Sequence, residues 1–194
     1  MTHTGCTKRA LIYMSIRAEW QKLVADGELF RLEPLPGDPD ERTVLMSPEV
    51  NELLTKQMPE GPDANRRSRL LATLQGIVAG RRIVACMTPF EAREAQVGLL
   101  DPIDDAVFDI RCQDKPAIRV FCRFLEKDVL FAATYRPRSV SMEWMDWLPL
   151  GDRHSKEWKR AIAATKRMWG MFFPAHEPVR GECLRDYLSK ATLE

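Results

Sequence analysis

The side chains best placed for chemistry in this chain are arginines inside a strand-like run. Ile118 to Leu125 has the composition of a β-strand, and a period of two puts Arg119, Phe121, Arg123 and Leu125 on one face and Ile118, Val120, Cys122 and Phe124 on the other. In the preceding run, Asp109 and Arg111 alternate with Phe108 and Ile110, so Arg111 is expected beside the first row. Arginine stays charged, and its planar fork of donors matches phosphate oxygens. An outward-facing row of this kind is a rigid cation platform suited to phosphate. The plainer alternative is a solvated sheet face dotted with charge, because antiparallel sheets often face water on one side.

The next run ends in Tyr135-Arg136-Pro137-Arg138. An arginine pair there would hold a scissile phosphate and stabilise the charge that builds on it, while the phenol moves a proton or stacks on a base. His154, of the residue type whose ordinary pKa lies near neutrality, is a candidate for acid–base work; the plainer alternative is a surface loop histidine. Trp144 and Trp147 would stack on nucleotides or, as aromatics more often do, cover the edge of a core. The candidate catalytic set is therefore Arg119, Arg123, Tyr135, Arg136 and His154. The candidate nucleic-acid contacts are Arg111, Arg119, Arg123, Arg136, Arg138, Trp144 and Trp147.

These residues need elements to hold them. Residues 106 to 112, 118 to 125 and 129 to 135, joined by short turns, predict an antiparallel meander. Upstream, Thr43 to Met46 reads as a strand, and Ser47-Pro48-Glu49 as a helix start with a hydroxyl cap and a first-turn proline. A second helix begins near Asp63 and stops at Gly80, completing a helical hairpin. Residues 9 to 25 carry the spacing of an amphipathic helix. A strand is possible at Leu29 to Leu35, another at Arg82 to Met87, a helix follows Ser155, and a last helix is expected at Glu182 to Ala191. The expected fold is α+β: an antiparallel meander sheet packed on a helical hairpin, with an N-terminal helix and a C-terminal helical extension. The expected divisions are 1–40, an N-terminal helical extension; 41–138, the α+β core; and 139–194, an aromatic loop and C-terminal helices packed on the core.

Composition narrows the function classes. The 194 residues hold 29 basic and 28 acidic side chains, so a polyanion site must be a local patch. Five widely spaced cysteines without a C-x-x-C pair suggest neither a disulfide framework nor a zinc site. No metal or cofactor is expected. Glycine-rich phosphate loops, H-E-x-x-H and G-x-S-x-G are all absent, which weighs against nucleotide hydrolases, zinc proteases and α/β-hydrolases. With no long apolar segment and no signal-like N-terminus, the expectation is a cytoplasmic protein without a membrane role.

The order of strand, Ser47-Pro48-Glu49-Val50, helical hairpin and the meander Val107-Phe108-Asp109-Ile110-Arg111, Ile118-Arg119-Val120-Phe121 and Val129-Leu130-Phe131 resembles the RelE/ParE toxin superfamily, in particular its phage-related, HigB-like branch. The resemblance spans about residues 42–138. It implies a small toxin domain of the kind that cuts messenger RNA on the ribosome without metal, using basic and polar residues of the sheet face, and that is neutralised by an antitoxin. Arg119, Arg123 and Arg136 occupy comparable places.

Two functions follow as expectations. In the first, the protein is a toxin-like endoribonuclease of a toxin–antitoxin or mobile-element system: a 2′-hydroxyl attacks the adjacent phosphate, the arginines hold that phosphate, and Tyr135 or His154 moves protons. In the second, it is a non-catalytic phage or mobile-element interaction protein that binds and inhibits a host protein or nucleoprotein complex. Near-zero net charge, abundant Trp and Met, and the absence of a definite base favour the second.

Overall fold

The computed structural model describes residues 16–56, 61–89, 94–112, 117–137 and 156–193. Helix α1 occupies 16–25, buries Ile16 and Trp20, and stops at Gly27, whose φ of 75° is the left-handed conformation that glycine tolerates without strain. A two-residue strand, β1 (Phe30–Arg31), pairs antiparallel with β2 (Thr43–Met46). Helix α2 (Pro48–Thr55) starts as its sequence requires: Ser47 Oγ accepts the Val50 amide at 3.2 Å, and Pro48 takes a first-turn place where no amide is needed.

Helix α3 (Pro62–Val78) turns Leu70, Leu74, Ile77 and Val78 inward. It closes in a Schellman motif, with the Gly80 amide on the Ile77 carbonyl at 3.0 Å and the Arg81 amide on that of Gly76 at 3.0 Å. Gly80 has φ 70°, and a Cβ there would stand 2.2 Å from Glu41 Oε2, so conformation and space both demand glycine. The chain continues through β3 (Ile83–Cys86), β4 (Val97–Leu99), a 3-10 turn at Ile103–Asp105, β5 (Phe108–Cys112), β6 (Ile118–Glu126) and β7 (Val129–Pro137). Helix α4 (Lys156–Phe172), a 3-10 turn at Leu184–Asp186 and β8 (Ala191–Leu193) complete the described chain.

Among the described residues the eight strands form one sheet in the order β1-β2-β7-β6-β5-β4-β3-β8. The protein is α+β as expected, and β5, β6 and β7 pair antiparallel as the short turns required. The expected antiparallel meander sheet is nevertheless corrected to a mixed sheet. Parallel neighbours flank its antiparallel centre, β2 beside β7 on one side and β4, β3 and β8 in parallel register on the other. The cause lies in the connections. Helices α2 and α3 separate β2 from β3, and these two strands lie at opposite sides of the sheet. The parallel pairs β2–β7 and β3–β8 join strands far apart in the chain, and connections of that length permit parallel pairing and leave no turn signature. The helix expected at Glu182 to Ala191 is likewise corrected: those residues form the 3-10 turn and lead into β8, where pairing with β3 supersedes a marginal helical pattern.

Both faces of the sheet are covered. On one, Val44, Met46, Val120, Cys122, Phe124 and Ala132 pack against Val50, Leu70, Leu74 and Ile77 of the hairpin, with Tyr187 and Leu188 from the C-terminal segment. On the other, Leu45, Leu125, Phe131 and Ala133 pack against Ile16, Trp20, Trp169 and Phe173, while Phe121 and Val107 meet Trp158, Ala161 and Ile162. Every residue of β6 is therefore buried. Among the described residues no helix is long and apolar enough to cross a membrane.

Candidate functional site

Because α1 and α4 cover the second face, the arginine row does not look into water as expected. Arg111, Arg119 and Arg123 are 5%, 4% and 6% exposed. The physical reason is the company they keep. Phe121, Leu125, Phe131 and Leu45 share that face, and burying each stabilises by ~1.5–3 kcal/mol, enough together to draw two helices over the charges between them. The enclosed charge is matched locally. Asp109, fully buried, accepts Arg111 Nε at 2.8 Å and Arg119 Nη1 at 2.6 Å. Arg111 also needs Gly98, which stands opposite Asp109 on β4: a Cβ there would fall 2.2 Å from Arg111 Nη2. Arg123 donates to the Asp105 carbonyl at 2.5 Å and lies under Trp169, its Cζ 5.6 Å from the ring centroid. Burial lowers the pKa of Arg123, with Asp105 opposing the shift.

Arg111, Arg119 and Arg136 are direct cross-strand neighbours on β5, β6 and β7, so the structure does bring these three together. Only Arg136 keeps appreciable exposure, at 29% of its side chain, and it pairs with Glu49 at 3.2 Å beside Thr134, whose hydroxyl donates to the same carboxylate at 2.6 Å. Tyr135 belongs to the opposite face. One residue before Arg136 in a pleated strand, it packs on the hairpin core, and burial followed by the proximity of Glu49 raises its pKa. Arg138, Trp144, Trp147 and His154 lie outside the described residues. Of the expected catalytic set, Arg119 and Arg136 are adjacent, Arg123 lies further along β6 under α4, and Tyr135 faces away.

An open concave surface lies elsewhere. Between α3 and the β3–β5 side of the sheet is a cleft of about 530 Å³, within the range typical of small-molecule sites. Arg69 and Thr73, one turn apart on α3, line it together with Arg81 and Arg82, which precede β3, and Glu94 and Gln96, which precede β4. Ile77 and Ile83 are its apolar lining. Arg81 and Arg82 are exposed, and among the described residues neither guanidinium has a side-chain partner. The Gln96 Oε1 accepts the Val84 amide at 3.3 Å, which leaves its NH2 group as a donor. Glu94 is the one acidic residue among the described lining residues, so the cleft is net positive.

The arginine doublet is held by a buried clamp. Arg42, 2% exposed, donates to the carbonyls of Ile77 at 3.3 Å and Arg81 at 2.9 Å, bonds the Ser189 carbonyl, and pairs with Asp128 at 3.3 Å. It thereby ties the end of α3 to the β6–β7 turn and the C-terminal segment. Burial lowers the Arg42 pKa, and Asp128 opposes the shift.

Among the described residues, Arg111 alone of the expected site residues borders this cleft. A signal existed: between Asp63 and Glu91 the chain carries five arginines, Arg66, Arg67, Arg69, Arg81 and Arg82, and no acid. The near-zero charge of the whole chain concealed this local asymmetry. No protein-family model matches the chain, and no curated protein and no solved structure is significantly similar to it, so the geometry of the cleft carries the functional argument.

Proposed function

We propose that this protein acts by binding an anionic group in the cleft between α3 and the β3–β5 side of the sheet, and not by cutting RNA. The observation that carries the proposal is the contrast between two sets of arginines. Arg81 and Arg82 are exposed on the rim of an open cleft, without side-chain partners among the described residues. Arg119 and Arg123, on which the ribonuclease reading depends, are enclosed and already engaged by Asp109, Asp105 and Trp169. A phosphate would have to displace these partners to reach them. This favours the interaction-protein reading over the RelE-like toxin reading, and it gives the bound partner one property, negative charge.

Isothermal titration with inorganic pyrophosphate tests the proposal. The parent is expected to bind with an affinity that falls as salt rises, and Arg81→Ala/Arg82→Ala to bind at least tenfold more weakly, about 1.4 kcal/mol or more. RNA incubated with the parent is expected to remain intact. Pyrophosphate binding indifferent to the double substitution, or RNA cleavage abolished by Arg136→Ala, would refute it.

A further inference from the structure

We infer that the occupant of the cleft is the acidic turn between β4 and β5 of a second copy of this chain, so that copies associate head to tail. The inference rests on the anion-binding proposal and names the anion. Charge that the fold separates carries it. On the turn, Asp101 and Asp104 are exposed, and among the described residues neither carboxylate has a side-chain partner. Ile103, between them, is 56% exposed. In the cleft, Arg81 and Arg82 are exposed and likewise without side-chain partners among the described residues, whereas Arg69 and Glu94 already have partners in the chain. Two uncommitted carboxylates on one surface thus match two uncommitted guanidiniums on another, and arginine–carboxylate pairs are among the stronger polar contacts. Ile103 would meet the apolar lining that Ile77 and Ile83 supply.

A chain cannot fill its own cleft in this way. Gln96 and Cys112, which border the cleft, lie at the end of the β4–β5 pair where Val97 stands opposite Ile110; the turn lies beyond the other end, where Leu99 stands opposite Phe108. The turn is also fastened there. Asp105 pairs with Lys166 of α4, its carbonyl accepts from Arg123, and its amide bonds the Pro102 carbonyl at 3.0 Å. A turn already fixed costs little further ordering when it docks. Because one surface meets a different surface of the next copy, the contact is heterologous and repeats into rings or open chains. A net charge of +1 leaves little overall repulsion between copies. One turn in one cleft buries less than a standard interface, so the association is expected to be weak and concentration-dependent.

Sedimentation velocity of the full-length protein over a range of concentrations provides the test. The parent is expected to form dimers and larger species that dissociate as salt rises from ~0.1 M to ~1 M, over which the screening length shortens from ~10 Å to ~3 Å. Excess pyrophosphate should dissociate them too, by occupying the cleft, and this arm needs no substitution. Arg81→Ala/Arg82→Ala and Asp101→Asn/Asp104→Asn are each expected to self-associate at least about tenfold more weakly. Mixed, the two variants should form a heterodimer and nothing larger, because the intact turn of one and the intact cleft of the other can meet only once. Every substituted side chain is exposed, and far-UV circular dichroism and the melting temperature report whether each variant keeps the parent fold. A parent that stays monomeric at every concentration in low salt, association that either double substitution or pyrophosphate leaves unchanged, or a mixture that stays monomeric overturns the head-to-tail inference. Pyrophosphate binding that depends on Arg81 and Arg82 would then leave the anion site standing, and its absence would remove that reading as well.

Discussion

Replacing Asp109 with asparagine separates the two roles the sheet-face arginines have been given. The substitution keeps the shape of the side chain and removes its charge, at a carboxylate that is fully buried and accepts Arg111 at 2.8 Å and Arg119 at 2.6 Å. Arg111 and Arg119 are also direct cross-strand neighbours, so without the carboxylate two like charges face each other on largely buried side chains. Removing one partner from a buried ion pair costs ~3–5 kcal/mol, a large share of the 5–15 kcal/mol that typically holds a domain together. For a chain of this length each kcal/mol lowers the melting temperature by ~2–4 °C, so Asp109→Asn should melt at least ~6 °C below the parent. Urea unfolding should give a lower midpoint at an unchanged slope. Adding Arg119→Leu, which removes one stranded charge, should recover part of the loss, and the resulting double-mutant cycle measures the coupling. An Asp109→Asn protein within 0.5 kcal/mol of the parent would refute the structural role and reopen a functional one for the row.

Gly98→Ala probes the same cluster from β4. The new Cβ would lie 2.2 Å from Arg111 Nη2 and 2.9 Å from Asp109 Oδ1, so unfolding experiments should register a loss of ~1–3 kcal/mol from overpacking. The thiols make a separate test. Cys183 is exposed, whereas Cys122 is fully buried and its pKa is raised, first by burial and then by Asp109. Mass mapping after alkylation of the native protein at pH 8 should find Cys183 labelled and Cys122 unmodified until denaturant is added. The tyrosines provide a test at alkaline pH. Burial is the first cause of a raised pKa for both Tyr135 and Tyr187, so each contributes stability that is complete below the ordinary value of 10.0 and lost as pH rises above it. Stability measured by urea between pH 8 and 11 should fall above pH 10, less steeply in Tyr135→Phe/Tyr187→Phe; equal slopes would contradict the assignment.

Much of the local structure follows from neighbouring residues alone. Ser47-Pro48-Glu49 starts α2 because the cap, the proline and the first-turn acid act within four residues. Gly27 and Gly80 end helices because they supply the left-handed turn. The meander Phe108–Cys112, Ile118–Glu126 and Val129–Pro137 is legible because short links between alternating runs permit hairpins and little else. In the same way, periodicity assigned Arg119, Phe121, Arg123 and Leu125 to one face correctly.

What covers that face was decided only in three dimensions. A period of two says which residues share a side; it does not say whether water or another layer meets them, and the layer here is α4, more than thirty residues along the chain from Arg123. The fate of the arginines thus depended on Trp158, Trp169 and Asp109, none of which is near them in the ways a sequence pattern reports, save Asp109 within its own strand. Parallel pairing of β2 with β7 and of β3 with β4 and β8 is equally silent, since crossovers have no fixed length or turn chemistry. The cleft is the extreme case. Its arginines come from the flank and end of α3, its amide and carboxylate from the segment before β4, and only the packing of helix on sheet turns a local run of positive charge into a site.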